Sequence, residues 1–177
     1  MRILSFDVGI FNLAYALMEG DDGRLIAWDV ISLKRRDEGS KIGFGELVKR
    51  LVAELRDRFA EARVDVVLIE NQPCMQNPTM KSIQVAIHTF FVVAGVEVVL
   101  ISASSKLKVR EAERVDLSAI TCKSPYSRRK KTSEAIARHY LALTQEVNAE
   151  WAPQFEASKK RDDLADVYLQ ALHFLER

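Results

Sequence analysis

The apolar residues of this chain fall into short runs and longer stripes that alternate along its length. Ile3, Leu4 and Phe6 lie in the first run, about Arg2–Val8, which reads as a buried strand. A second strand-like run, Leu13–Met18, follows, and Gly20-Asp21-Asp22-Gly23 marks a turn into a third, about Arg24–Ser32. Beyond the polar loop Lys34–Ser40, Phe44, Leu47, Val48, Leu51, Leu55 and Phe59 recur at helical spacing. They predict an amphipathic helix over about Ile42–Ala60. The β-branched run Val64–Ile69 predicts a central strand ending in Glu70. Asn71–Asn77 is a loop, and Pro78 suits the first turn of a helix over about Thr79–Val93. That helix is apolar nearly all round, so either it is a deep core helix or one face is covered by something else, such as a second subunit. Val96–Ile101 is a fifth strand. Ser102–Tyr126 reads as irregular, polar and basic, and a helix follows over about Arg128–Leu143. Thr144–Ser158 contains Pro153 and has no clear pattern. The last helix spans about Arg161–Leu175.

This order implies an α/β fold with a five-stranded mixed sheet flanked by helices. Its first three strands form an antiparallel meander, extended by parallel strands through right-handed crossovers. No repeat, low-complexity tract or linker divides the chain, so residues 1–177 read as one domain.

Composition narrows the class. The chain is 48% hydrophobic, which suits a globular protein, and no apolar run is long enough for a membrane span. No signal peptide is evident, and the two cysteines form no metal-type cluster, so an intracellular protein with reduced thiols is expected. The net charge of +1 selects no partner. Its distribution is more informative: between Ile101 and Lys131 nine basic residues face three acidic ones. Such a patch can hold phosphates, although a solvated surface loop has the same composition.

Asp7 interrupts the first strand, and Gly9 follows it. A carboxylate there is costly to bury unless something positive holds it, and a missing side chain two residues on would let a charged ligand approach the backbone. A turn aspartate ending a strand fits the same residues. Glu70 repeats the arrangement at the end of a second strand. If the two strands are parallel neighbours, both acids lie at the end of the sheet where ligands of α/β folds bind. Asp163 and Asp166 share a face of the last helix, and with Gln170 and His173 they form a polar arc opposite Leu164, Tyr168, Ala171, Leu172 and Leu175. Acids in a first helical turn also stabilise the positive helix end, and Asp162 is the residue best suited to that. Four carboxylates side by side need cations, and hard oxygen ligands suit Mg²⁺ or Mn²⁺. A pair of such ions supports phosphodiester hydrolysis.

Four segments together resemble the RuvC-type Holliday-junction resolvases of the ribonuclease H-like superfamily, in particular the poxvirus and fungal mitochondrial branch. They are Ser5-Phe6-Asp7-Val8-Gly9-Ile10 with Asn12; Ile69-Glu70-Asn71-Gln72-Pro73 with Asn77-Pro78-Thr79-Met80-Lys81-Ser82; Ser127-Arg128-Arg129-Lys130-Lys131; and Lys160-Arg161-Asp162-Asp163-Leu164-Ala165-Asp166. The resemblance implies a ribonuclease H-like fold and an endonuclease that acts as a homodimer on four-way DNA junctions. It implies two Mg²⁺ ions per site, with Mn²⁺ able to substitute, held by Asp7, Glu70, Asp163 and Asp166. It also implies a catalytic lysine in the Arg128–Lys131 cluster, for which Lys131 is preferred to Lys130. Lys106, Lys108, Arg110, Lys123, Arg128, Arg129 and Lys130 are then expected to contact the DNA backbone. The expected location is a site of DNA replication, either a viral cytoplasmic factory or, for a fungal-like protein, the mitochondrion. The chain departs from the family pattern at Phe11, where a lysine is frequent. It also lacks an extra DNA-binding segment that fungal relatives can carry. A ribonuclease acting on RNA–DNA hybrids, an actin-like ATPase and an inactive binding module are the alternatives. The ATPase fold uses two lobes, for which 177 residues are short, and the presence of all four acids counts against the inactive module.

Overall fold

A computed structural model of the protein describes residues 1–38, 42–122 and 124–177. Its centre is a five-stranded sheet built from β1 (Arg2–Asp7), β2 (Leu13–Glu19), β3 (Arg24–Ile31), β4 (Val66–Glu70) and β5 (Glu97–Ile101), in the order β3-β2-β1-β4-β5. The first three strands pair antiparallel, and β1-β4 and β4-β5 pair parallel. The meander and its parallel extension are those expected from the sequence. Gly20 and Gly23 adopt φ of 78° and 74°, the left-handed conformation that the β2–β3 turn requires.

The two-residue period of the strands sorts their side chains between two layers. Leu4, Phe6, Val67 and Ile69 point to one face, where α1 (Phe44–Phe59) and α2 (Pro78–Val93) pack with Leu51, Leu55, Ile83 and Ile87. Ile3, Val66 and Leu68 point to the other, toward α3 (Pro125–Leu143) and α6 (Arg161–Leu175). Ala14 and Ala16 of β2 lie on this second face, and their small side chains leave room for α6 to approach the sheet.

Two expectations about helix faces need correction. The α6 helix is buried on more than one side: Val167 and Leu169 are as deeply covered as Leu164, Tyr168, Ala171 and Leu172. The reason is that α3 lies against α6 while the sheet covers its other side. By contrast, α2 is not a deep core helix. Val85 and Val92 are half exposed and Val93 is 82% exposed, with Phe44 of α1 also open to solvent.

The patternless stretch Thr144–Ser158 folds as two short helices, α4 (Gln145–Asn148) and α5 (Trp151–Ala157). They close the free edge of β3. Asn148 Oδ1 accepts from Leu25 N at 2.8 Å, Trp151 Nε1 donates to Leu25 O at 3.2 Å, and Asn148 Nδ2 donates to Gly23 O. An edge whose backbone groups are met by side chains offers no template to another strand. Phe155 stacks on Trp28 at 5.2 Å between ring centroids, tying this cover to the core. Among the described residues no helix is long and apolar enough to cross a membrane.

Candidate active site

Asp7 and Glu70 close their strands side by side. The parallel register pairs Phe6 with Ile69, so the two acids stand one step further on neighbouring strands, roughly 4.8 Å apart in backbone spacing. By the same two-residue period both belong to the face that α6 covers. The glycine after Asp7 has a purpose other than the one expected of it. A Cβ at Gly9 would lie 2.2 Å from the Asn12 carbonyl oxygen. The chain folds back onto itself there, and the space that a ligand was expected to use is filled by the chain's own backbone.

The α6 helix brings the other two acids to the same place, and Gln170 fixes its register. That side chain is 2% exposed, and its Nε2 donates to Ser5 Oγ at 3.0 Å and to Phe6 O at 3.3 Å. One helical turn before it, Asp166 is thereby held beside the end of β1. Asp7, Glu70, Asp163 and Asp166 all line one cleft of about 560 Å³, together with Gln76, Ser104, Lys106, Tyr126, Arg129 and Lys130.

The main feature that sequence reasoning missed is Lys106. It was expected at the surface, on DNA. Its side chain is only 15% exposed, and its ammonium is bound between Glu70 Oε2, at 2.9 Å, and Asp166 Oδ2. Burial alone would push its pKa down, but Asp166, Asp7 and Glu70 outweigh that and hold it well above the usual lysine value. Asp7 shows the converse. Loss of hydration, then repulsion from Glu70, raise its pKa well above the ordinary carboxylate range against the pull of Lys106. Asp163 is raised by burial and by Asp162, and its Oδ2 is buried with no hydrogen-bond partner among the described residues. Asp162 has its own cation, Lys130. Burial pushes the Asp162 pKa up, but the hydrogen bond and charge of Lys130, with the backbone N–H of Asp162 and the charge of Lys160, together outweigh that and lower it.

This donor set fits a hard divalent cation. Carboxylates of Asp7, Glu70 and Asp166 gather around a positive charge supplied by the chain itself, and Asp163 Oδ2, in the same cleft, has no hydrogen bond among the described residues and lies 3.7 Å from Lys160 Nζ. Among the described residues no three His, Cys, Asp or Glu side chains are close enough to hold one ion as they stand. The Lys106 ammonium lies where Glu70 and Asp166 meet, the position that a divalent ion held by these acids would share.

The basic residues divide. The α3 helix starts at Pro125, three residues earlier than expected, because Ser124 caps it by accepting from Ser127 N at 3.1 Å. Tyr126, Arg129, Lys130 and Ser133 then share the face toward the cleft. Lys131 is turned about 100° from Lys130 and lies exposed outside the cleft that Lys130 lines. Arg128 is also exposed on the outer side. Lys108 and Arg110 are drawn toward the opposite end of α6. The Lys108 carbonyl meets His173 Nδ1 at 3.0 Å, and Arg110 N donates to Glu176 Oε2 at 2.6 Å. At 1.5 Å of rise per residue those partners lie about 10–15 Å along the helix from Asp166. Lys123 lies outside the described residues.

The family model described as poxvirus A22 protein matches residues 1–177. The chain belongs to that family. The likeness to Holliday-junction resolvases seen in the four sequence segments is borne out by this match. The crystal structure of a fowlpox virus resolvase with its substrate Holliday-junction DNA aligns with this A22-family chain at a TM-score of 0.65 and 22% identity. The alignment covers 99% of this chain and 97% of that one. Thermus thermophilus RuvC, in complex with a Holliday-junction substrate, aligns at a TM-score of 0.64 and 17% identity, over 98% and 94% of the two chains. These likenesses bear out the ribonuclease H-like fold. The uncharacterized protein L451 of Acanthamoeba polyphaga mimivirus is 29% identical over 140 residues, or 73% of this chain. The chain spans about a third (33%) of the length of that curated relative.

Proposed function

We propose that this protein is a structure-selective endonuclease that resolves four-way DNA junctions by metal-assisted phosphodiester hydrolysis. Resolvases of this type are metal-dependent nucleases. One observation carries the reading: acids from β1, β4 and α6 converge on a single cleft, with Lys106 held between Glu70 and Asp166.

In this account Asp7, Glu70, Asp163 and Asp166 hold two divalent ions, Mg²⁺ with Mn²⁺ as a substitute. Such ions, when bound, lower the pKa of an attacking water and stabilise a departing oxygen. Burial and neighbouring acids raise the pKa of Asp7 and Asp163, so these are the two acids where protons compete most with a metal ion. Lys106, released from its two carboxylates, remains at the cleft and offsets negative charge growing on the phosphate. Lys130 and Arg129, with Tyr126 beside them, hold the strand at the mouth. Phosphate contacts of this kind position the nucleic acid without reading sequence. Phe11 replaces the family lysine, and Lys34 Nζ stands 5.7 Å from its ring centroid, returning a positive charge to that position.

Cutting two strands of a junction requires two such sites, so the protein acts as a homodimer. The open apolar face of α2, with Val85, Val92 and Val93 beside Phe44, supplies a surface for it. The place of action is a site of DNA replication, such as a viral cytoplasmic factory. The test is nicking of a mobile four-way junction in Mg²⁺, compared with linear duplex and with an RNA–DNA hybrid. Preferential cutting of the junction supports the proposal. Preferential cutting of the hybrid would replace it with a ribonuclease.

A further inference from the structure

Lys106 reaches the acids from a short 3-10 turn rather than from a strand or long helix. The residues after β5 form two short 3-10 turns, Ser105–Leu107 and Arg110–Arg114, which lie as a strap across α6 and α3. Val109, 4% exposed, plugs the strap into the core. On either side of this plug, three backbone groups are held by side chains from the two helices. His173 Nδ1 donates to the Lys108 carbonyl at 3.0 Å. Glu176 Oε2 accepts from Arg110 N at 2.6 Å. The Tyr140 hydroxyl accepts from Glu111 N at 3.0 Å and donates to Glu176 Oε1 at 2.6 Å. Both oxygens of Glu176 and both hydrogen-bonding directions of Tyr140 are thus used on one clamp.

We infer that Tyr140 and Glu176 are positioning residues for Lys106: they clamp the strap so that its ammonium stays between Glu70 and Asp166. The clamp is two to five residues downstream of Lys106. Across so short a segment, a loosened backbone transmits directly to a side chain that must meet two carboxylates. Lys106 is paired, buried and anchored, and of these only the anchoring depends on residues outside the cleft. The inference rests on the nuclease reading for its effect on catalysis, but not for its effect on the lysine itself.

The test uses Tyr140→Phe, which leaves Glu111 N without its acceptor. It also uses Glu176→Gln, which leaves one carbonyl oxygen where two carboxylate oxygens accepted. Lysines of the full chain are acetylated briefly with acetic anhydride and quantified by mass spectrometry, with exposed Lys49 of α1 as the internal reference. Faster labelling of Lys106 relative to Lys49 in both variants is expected, and unchanged labelling in both would overturn the inference. In junction cleavage each variant should lose roughly tenfold in kcat with little change in KM, the effect typical of groups that orient a functional residue. In a Lys106→Ala background neither variant should lower the rate further, because both act through that lysine. An additional loss there would show a merely structural role and also overturn it. Should the wild-type protein fail to cut junctions, the nuclease reading falls, while the labelling still decides the clamp. Should Tyr140→Phe fold poorly, Glu176→Gln carries the test.

Discussion

The two ends of α6 differ in how fully they are partnered. At the C-terminal end, His173 and Glu176 meet backbone groups of the strap, and both carboxylate oxygens of Glu176 are taken. At the N-terminal end, Asp163 keeps a buried oxygen with no hydrogen bond among the described residues and only the Lys160 ammonium 3.7 Å away, and Asp166 shares one ammonium with Glu70. The same helix has its hydrogen bonds met at one end and leaves a buried carboxylate oxygen without one at the other. Buried polar groups are normally satisfied, so the unfinished end is the one built to receive something. The finished end determines where the unfinished one stands.

The difference can be tested by substitutions at each end. The largest effect belongs to the acids. Glu70→Gln removes a proposed metal ligand, and junction cleavage should fall by roughly a thousandfold, as for loss of one preorganised charge partner in a transition state. Lys106→Ala should cost about a hundredfold on the same basis. Arg110→Ala, at the finished end, should leave the rate nearly unchanged, since the short contact to Glu176 runs through the backbone N–H and the exposed side chain adds only a 3.4 Å contact to the Glu176 carbonyl. A large loss there would erase the contrast.

Gln170→Ala addresses the joint between the ends. It leaves Ser5 and the Phe6 carbonyl unmatched in the core and should lower stability by about 1–3 kcal/mol in urea unfolding. Cleavage should fall with it, because Asp166 loses its register against β1.

A smaller effect separates proton from metal. In the metal-free fold, Asp7 and Asp163 keep their protons above 3.8, the ordinary aspartate value, where the unfolded chain has released them. The fold then binds more protons than the unfolded state, and stability falls as pH rises through that window. Mg²⁺ competes with those protons, so its affinity should rise with pH and its binding should release protons at mildly acidic pH. Calorimetry in two buffers of different ionisation enthalpy measures that release. The smallest effect lies at the cleft mouth. Arg129→Ala should reduce the slope of log affinity against log salt for junction DNA by about one unit.

The sequence made the frame legible for physical reasons. The Val66–Ile69 run can only be a covered strand, and the stripe of Leu47, Leu51, Leu55 and Phe59 can only be one helix face. Asp7 and Glu70 were legible because acids break those apolar runs at their ends. The unread parts depend on contacts between distant positions. Lys106 meets Asp166 sixty residues away, and Asn148 meets Leu25 across 123 residues. No periodicity in a short segment carries that information. Some local signals were present but outweighed: Ser124-Pro125 marks the start of α3, three residues before the start expected from the apolar pattern. Gln84 on α2 is a similar case. Its Oε1 accepts from Gln72 N at 2.7 Å and from Lys81 Nζ, bracing the loop behind Glu70. A lone glutamine among apolar positions was the available sign.

Asp7 stands at the point where every part of this account meets. The most direct measurement is junction cleavage and junction binding by Asp7→Asn in Mg²⁺, side by side with the wild type. The account predicts cleavage lost by about a thousandfold or more with binding retained. Cleavage at the wild-type rate by this variant would contradict it.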